Sequence, residues 1–131
     1  MPKILLVEDN EASADALARR LERRNFSVVI APDGHRAVLL ARSEQPDLVL
    51  MDLGLPGIDG WDATAIIKAD VDTRHIPIIV LSAHAMPNDR HQALAAGGDD
   101  FDTKPVQFER LLEKIETLLT TRGVSVSASD I

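Results

Sequence analysis

The stretch Val49-Leu50-Met51-Asp52-Leu53 decides the fold. It is an apolar run that ends in a carboxylate and is followed closely by Gly54, Pro56 and Gly57. A buried strand that carries an acid to its own C-terminal end is costly unless something uses the charge. In open α/β sheets, ligands bind in the crevice beyond the carboxyl ends of the strands. Further apolar runs end the same way. Lys3-Ile4-Leu5-Leu6-Val7 leads into Glu8-Asp9, and Ile78-Ile79-Val80-Leu81 leads into Ser82. Asp100-Phe101-Asp102-Thr103 leads into Lys104-Pro105. Four strand ends therefore offer three carboxylates, a hydroxyl and an ammonium to one region.

Between these runs the apolar spacing becomes helical. Asn10 is placed to cap a helix carrying Ala14, Leu17, Ala18 and Leu21, which ends at Asn25. Ser27–Ala31 reads as a short strand, and Asp33-Gly34 opens a second helix with Ala37, Leu40 and Ala41. Pro46 stops that helix before the strand Leu48–Met51. Asp59-Gly60 caps a third helix through Ala69, and a polar loop leads to Pro77. A fourth, weaker helix is predicted between Asn88 and Ala96, ended by Gly97-Gly98. The last helix has a clean apolar stripe of Phe108, Leu111, Leu112, Ile115, Leu118 and Leu119. The unit β-α thus repeats five times, with strands that are continuously apolar, as in a parallel sheet covered on both faces. Right-handed crossovers leave few topologies. The prediction is a doubly wound, flavodoxin-like α/β domain with five helices and strand order 2-1-3-4-5. Its switch point lies between the first and third strands, where Glu8, Asp9 and Asp52 converge.

A chain of 131 residues fits one domain. That domain is placed at 1–122, with 123–131 as a flexible, serine-rich tail in which Val124 and Val126 are read as frayed rather than as strand. Fourteen basic against twenty-one acidic residues give a net charge of −7, which argues against nucleic acid or an anionic membrane as partner. The absence of cysteine excludes disulfides and thiol catalysis, and agrees with a cytoplasmic location. The opening apolar run of five residues is too short for a signal segment or a membrane span.

Three carboxylates with no cysteine or histidine beside them suit a hard cation, Mg²⁺ or Mn²⁺. Without one, two carboxylates about 4 Å apart repel by roughly 4 kcal/mol at an effective dielectric near 20. A lysine and a hydroxyl next to the cation can bind phosphoryl oxygens. No glycine-rich loop with Lys-Ser/Thr is present to hold a nucleotide, so Asp52 would accept the group, as nucleophile, from a small or protein-bound donor. Plainer readings exist for each residue alone. Glu8-Asp9-Asn10 and Asp59 can be helix caps, Lys104 a solvated lysine, Phe101 core packing, and Trp61 an anchor of its own helix. His35, His75, His84 and His91 are scattered and read as solvated. For Glu8, Asp9, Asp52 and Lys104 the joint pattern outweighs the separate ones, whereas Asp59 stays a cap.

From about residue 2 to residue 120 the chain resembles the receiver domain of two-component response regulators, of the chemotaxis-regulator-like, single-domain type. The resemblance rests on Leu-Leu-Val-Glu-Asp-Asn at 5–10, Asp-Leu-Val-Leu-Met-Asp-Leu-Gly-Leu-Pro at 47–56 and Asp-Gly at 59–60. It continues through Ile-Pro-Ile-Ile-Val-Leu-Ser-Ala at 76–83 and Gly-Gly-Asp-Asp-Phe-Asp-Thr-Lys-Pro at 97–105. It implies that Asp52 is the phospho-acceptor, supplied by a histidine kinase or histidine phosphotransfer protein. It implies that Asp9, Asp52 and the Gly54 carbonyl ligate Mg²⁺ directly, with Glu8 acting through water. Lys104 would bind the phosphoryl group, and Lys104-Pro105 would be a cis peptide. Ser82 and Phe101 would rearrange on phosphorylation, Ser82 moving inward and Phe101 turning in from solvent. Gly54 and His84 occupy positions that tune dephosphorylation in this family. Glu8, Ser82, Gly98 and Val106 stand where Asp, Thr, Ala and Phe are commoner, and none removes a required group.

The expectation is a stand-alone signalling domain, monomer or weak dimer. It is not an enzyme in the ordinary sense, although it assists its own phosphorylation and dephosphorylation. Its output would be phosphorylation-dependent contact with a protein target through the fourth helix, fifth strand and fifth helix. The alternatives are a phosphorelay intermediate or phosphate sink, a fragment of a hybrid kinase, and a Mg²⁺-dependent aspartyl-phosphate phosphatase. The first residue and the short tail weigh against the kinase fragment. A phosphatase of that type needs a second acid two residues after the nucleophile, where Gly54 stands.

Overall fold

Alternation along the strands divides the interior into two halves, one on each face of the sheet. A computed structural model describes residues 1–55, 57–83, 91–92, 94–121 and 123. The elements are β1 (Lys3–Val7), α1 (Glu11–Arg23), β2 (Ser27–Ala31), α2 (Gly34–Glu44), β3 (Leu48–Asp52), α3 (Gly60–Ala69), β4 (Ile78–Ser82), β5 (Asp100–Thr103) and a last helix, Phe108–Thr121. All strands pair in parallel in the order β2-β1-β3-β4-β5. Ile4, Leu6, Leu48, Leu50, Ile79 and Leu81 pack with α1 and the last helix. Their neighbours Leu5, Val7, Val49, Met51, Ile78 and Val80 pack with α2 and α3. This is the period of two that a pleated strand imposes. Covering both faces explains why β3 and β4 are buried at every residue.

Four helices are fully bounded among the described residues. The predicted helix from Asn88 to Ala96 falls partly outside them, although His91, Gln92, Leu94 and Ala95 are helical. Residues 124–131 of the predicted tail also lie outside the described residues. Among the described residues, no helix is long and apolar enough to cross a membrane.

The helix starts follow the sequence. Asn10 Oδ1 accepts from the Ser13 amide at 2.9 Å, Asp33 Oδ1 from Arg36 at 2.8 Å and Asp59 Oδ1 from Asp62 at 2.9 Å. Each such cap contributes about 1 kcal/mol by satisfying an otherwise unpaired amide. At α3 the cap is followed by Gly60, which packs against the end of β3. A Cβ there would lie 2.4 Å from the Asp52 carbonyl oxygen and 2.8 Å from Leu53 Cα. Gly60→Ala should therefore push the helix off the strand end and lower stability by roughly 1–3 kcal/mol. A chemical denaturation midpoint equal to that of the parent would show that α3 is not seated on β3.

β5 is an edge strand, and three of its backbone groups are bonded by side chains. The Phe101 amide donates to Asp100 Oδ1 at 2.7 Å, and the Thr103 amide to Asp102 Oδ1 at 2.8 Å. The Phe101 carbonyl accepts from Lys114 Nζ at 2.6 Å. Asp102 is also held by Arg110 of the last helix at 2.8 Å.

Candidate functional site

Three strand ends and the turn after β5 meet at Asp52. The parallel register sets Val7 beside Met51 and Asp52 beside Leu81. The backbone ladder continues past the strands, with the Glu8 amide donating to Ala31 at 3.0 Å and the Lys104 amide to Ser82 at 2.7 Å. Glu8 and Lys104 are thereby held level with the Asp52 end of β3. Asp52 is 5% exposed. Its Oδ1 accepts from the Gly54 amide at 3.1 Å, and its Oδ2 from Lys104 Nζ at 2.9 Å. The same ammonium donates to Glu8 Oε1 at 2.7 Å, while Glu8 Oε2 accepts from the Asn10 amide at 3.3 Å. Asp9 is exposed at the rim. Glu8, Asp9 and Asp52 each offer one oxygen, all within 4.8 Å of one another. The Lys104-Pro105 peptide is cis.

Asp52 is approached from both sides. A cavity of about 360 Å³ is walled by Asp52, Leu53, Gly54, Trp61, Ser82, Ala83 and Lys104. A second, of about 270 Å³, lies between α1 and the turn at Pro105 and Val106, with Leu17 and Arg20 on its wall. Arg20 also lies over the Phe108 ring, 4.3 Å from its centroid.

The charges are unequal in their surroundings. Burial pushes the Glu8 carboxyl up, its hydrogen bond and repulsion with Asp52 act in the same direction, and Lys104 offsets only part. For Asp52 burial also acts upward, but hydrogen bonds with Glu8, Lys104 and the Gly54 amide outweigh it and hold the carboxyl below its ordinary value. Burial disfavours the Lys104 ammonium, yet its bonds to Glu8 and Asp52 keep it above the usual lysine value. One ammonium is shared by two buried carboxylates, with a third at the rim. That leaves negative charge to be neutralised, and the donors are all oxygen. The residues present therefore fit a hard divalent cation.

The structure brings together Glu8, Asp9, Asp52, Gly54, Ser82 and Lys104 of the residues singled out from sequence. His84 lies outside the described residues. Phe101 corrects an expectation. It does not begin in solvent but is 5% exposed, in the core half that contains Val80, Ala63 and Ile67. Its place in β5, paired with Val80, sends the ring inward. Two features were not foreseen. Glu8 binds Lys104 directly, and Trp61 walls the cavity that opens on Asp52 as well as packing partly on the core. An aromatic immediately after the Gly60 that seats α3 on β3 was the available signal for the second.

Residues 4–116 match the family model of the response regulator receiver domain. The chain is 37% identical over 119 residues to protein PilH of Pseudomonas aeruginosa, covering 91% of this chain and 98% of that protein. It is 36% identical over 119 residues to the DNA-binding dual master transcriptional regulator RpaA of Synechocystis, covering 91% of this chain. It spans about half, 49%, of that relative's length. Among solved structures, the receiver domain of the sensor histidine kinase PA1611 from Pseudomonas aeruginosa carries a magnesium ion coordinated in its active-site cleft. It superposes with a TM-score of 0.84 at 35% identity, covering 91% of this chain and 98% of that one.

Proposed function

Since this chain belongs to the response regulator receiver domain family, we propose that Asp52 accepts a phosphoryl group from a phosphohistidine of a histidine kinase or histidine phosphotransfer protein. The observation that carries this reading is a buried carboxylate at a strand end, 2.9 Å from an ammonium and grouped with two further acids. A carboxylate oxygen of Asp52 attacks phosphorus as the P–N bond of the donor breaks, and the electron pair of that bond stays on the imidazole. The downward shift of Asp52 keeps it ionised near neutral pH, as a nucleophile requires. Lys104 and the Ser82 hydroxyl take oxygens of the transferred group, where charge gathers.

Glu8, Asp9 and Asp52, with the Gly54 carbonyl, would hold Mg²⁺ or Mn²⁺. When bound, the cation supplies neutralisation of the phosphoryl charge. Gly54 and His84 would tune the return of the acceptor to its free form. The signal would leave by contact with a downstream protein at the face made by β5 and the last helix.

The test is incubation with a phosphohistidine donor, with and without excess chelator. Label should appear only when a divalent cation is present, should be released by hydroxylamine as an acyl phosphate, and should map by mass spectrometry to the peptide holding Asp52. Label at another residue, or undiminished label in chelator, would overturn the reading or its metal requirement respectively.

A further inference from the structure

We infer that Trp61 shields the acceptor from water and so sets how long a phosphoryl group persists on Asp52. The inference rests on the acceptor role of that residue. The cavity of about 360 Å³ that opens on Asp52 has Trp61 as the largest side chain in its wall, facing the same space as Ser82 and Lys104. Gly54 contributes no side chain to this wall, although a Cβ there would stand 3.8 Å from Asp52 Oδ1. Bulk over the acceptor on this side therefore falls to the indole. Its position is fixed from two directions. The bare backbone of Gly60 lets the start of α3 rest on the Asp52 carbonyl, and the Gly60 amide donates to the Leu53 carbonyl at 3.5 Å. The half-buried indole also packs against the core half beneath α2 and α3.

The chemistry it would control is hydrolysis of the acyl phosphate. A water oxygen attacks phosphorus in line, the P–O bond to Asp52 breaks with its electron pair returning to the carboxylate, and the water's surplus proton leaves to solvent. Attack requires a water placed in the cavity on the side of phosphorus away from Asp52. A large apolar ring in the wall lowers the number of water positions from which that line can be reached. Formation of the acyl phosphate is less affected, because the donor imidazole brings phosphorus in with its own leaving group attached.

The experiment labels the parent, Trp61→Ala and Trp61→Phe with a phosphohistidine donor, removes the donor, and follows loss of label. Trp61→Ala should lose label on the order of 10-fold faster while its initial labelling rate stays within about 2-fold, and Trp61→Phe should fall between. A purely structural role would depress labelling and stability without selectively shortening the lifetime. Trp61 is also the single tryptophan of the chain. In the parent, Mg²⁺ with beryllofluoride as a phosphoryl mimic should therefore shift its emission and reduce its quenching by iodide. Equal lifetimes in the parent and both variants, or emission and quenching unmoved by the mimic, would overturn the shield. A parent that takes no label would instead overturn the acceptor reading and the shield with it.

Discussion

Asp52→Asn should lower labelling by a phosphohistidine donor on the order of 10⁴-fold or more, while leaving the fold intact and its stability close to that of the parent. The substitution keeps size and planarity but removes the anionic oxygen proposed to attack phosphorus. The structure makes the stability half of this expectation specific. Asp52 and Glu8 are both buried and share one ammonium, so neutralising Asp52 removes their repulsion and also its ion pair with Lys104, and the two changes offset. Glu8 should then relax toward its ordinary pKa, because its bond and charge interaction with Asp52 both raise it. Labelling time courses and a denaturation midpoint measure the two halves. Labelling at the parent rate would move the acceptor to another residue.

Lys104→Ala should have the second large effect, and on both properties. It removes the cation that holds Glu8 at 2.7 Å and Asp52 at 2.9 Å, leaving two buried acids facing each other. Removing one partner of a fully buried pair costs about 3–5 kcal/mol. The Lys104 side chain is a quarter exposed, at 25%, so solvent screening brings the expected loss to roughly 1–3 kcal/mol. Labelling should fall by about 10²–10³-fold, the scale of one lost charge-stabilising donor at a reacting group. A bound divalent cation neutralises the same carboxylates, so Mg²⁺ should raise the unfolding midpoint of this variant by more than it raises that of the parent. Equal increments would mean that Lys104 and the cation do not act on a shared set of acids.

The strands were legible because a sheet covered on both faces demands continuous apolar runs. β1, β2 and β5 occupy the residues read from sequence. β3 and β4 each reach one residue beyond their apolar runs, so that Asp52 and Ser82 lie inside the strands. The reason is that ladder pairing uses the backbone and ignores side-chain polarity; Leu53 still donates to the Leu81 carbonyl at 3.0 Å. The acids of the site were legible as well, since each stands at the end of an apolar run. The bond from Lys104 to Glu8 was not, because it joins residues 96 apart and depends on which oxygen the ammonium reaches. Phe101 was misread because Asp-Phe-Asp-Thr is too short an alternation to show which face is covered. Trp61 reads as an ordinary helix anchor until the seating of Gly60 on β3 is known.

The bonded margin of β5 has a consequence for how this molecule meets others. A strand from another chain could add there only by displacing the Asp100 and Asp102 carboxylates from two amides and Lys114 from a carbonyl. Sheet growth from copy to copy, the route by which exposed edges seed fibrils, is thus blocked along this margin. Beside it run two ion pairs, the buried Asp102 with the exposed Arg110 and the partly exposed Asp100 with Lys114. A partner docking along this margin would meet paired charges rather than free backbone, and its binding should weaken with added salt.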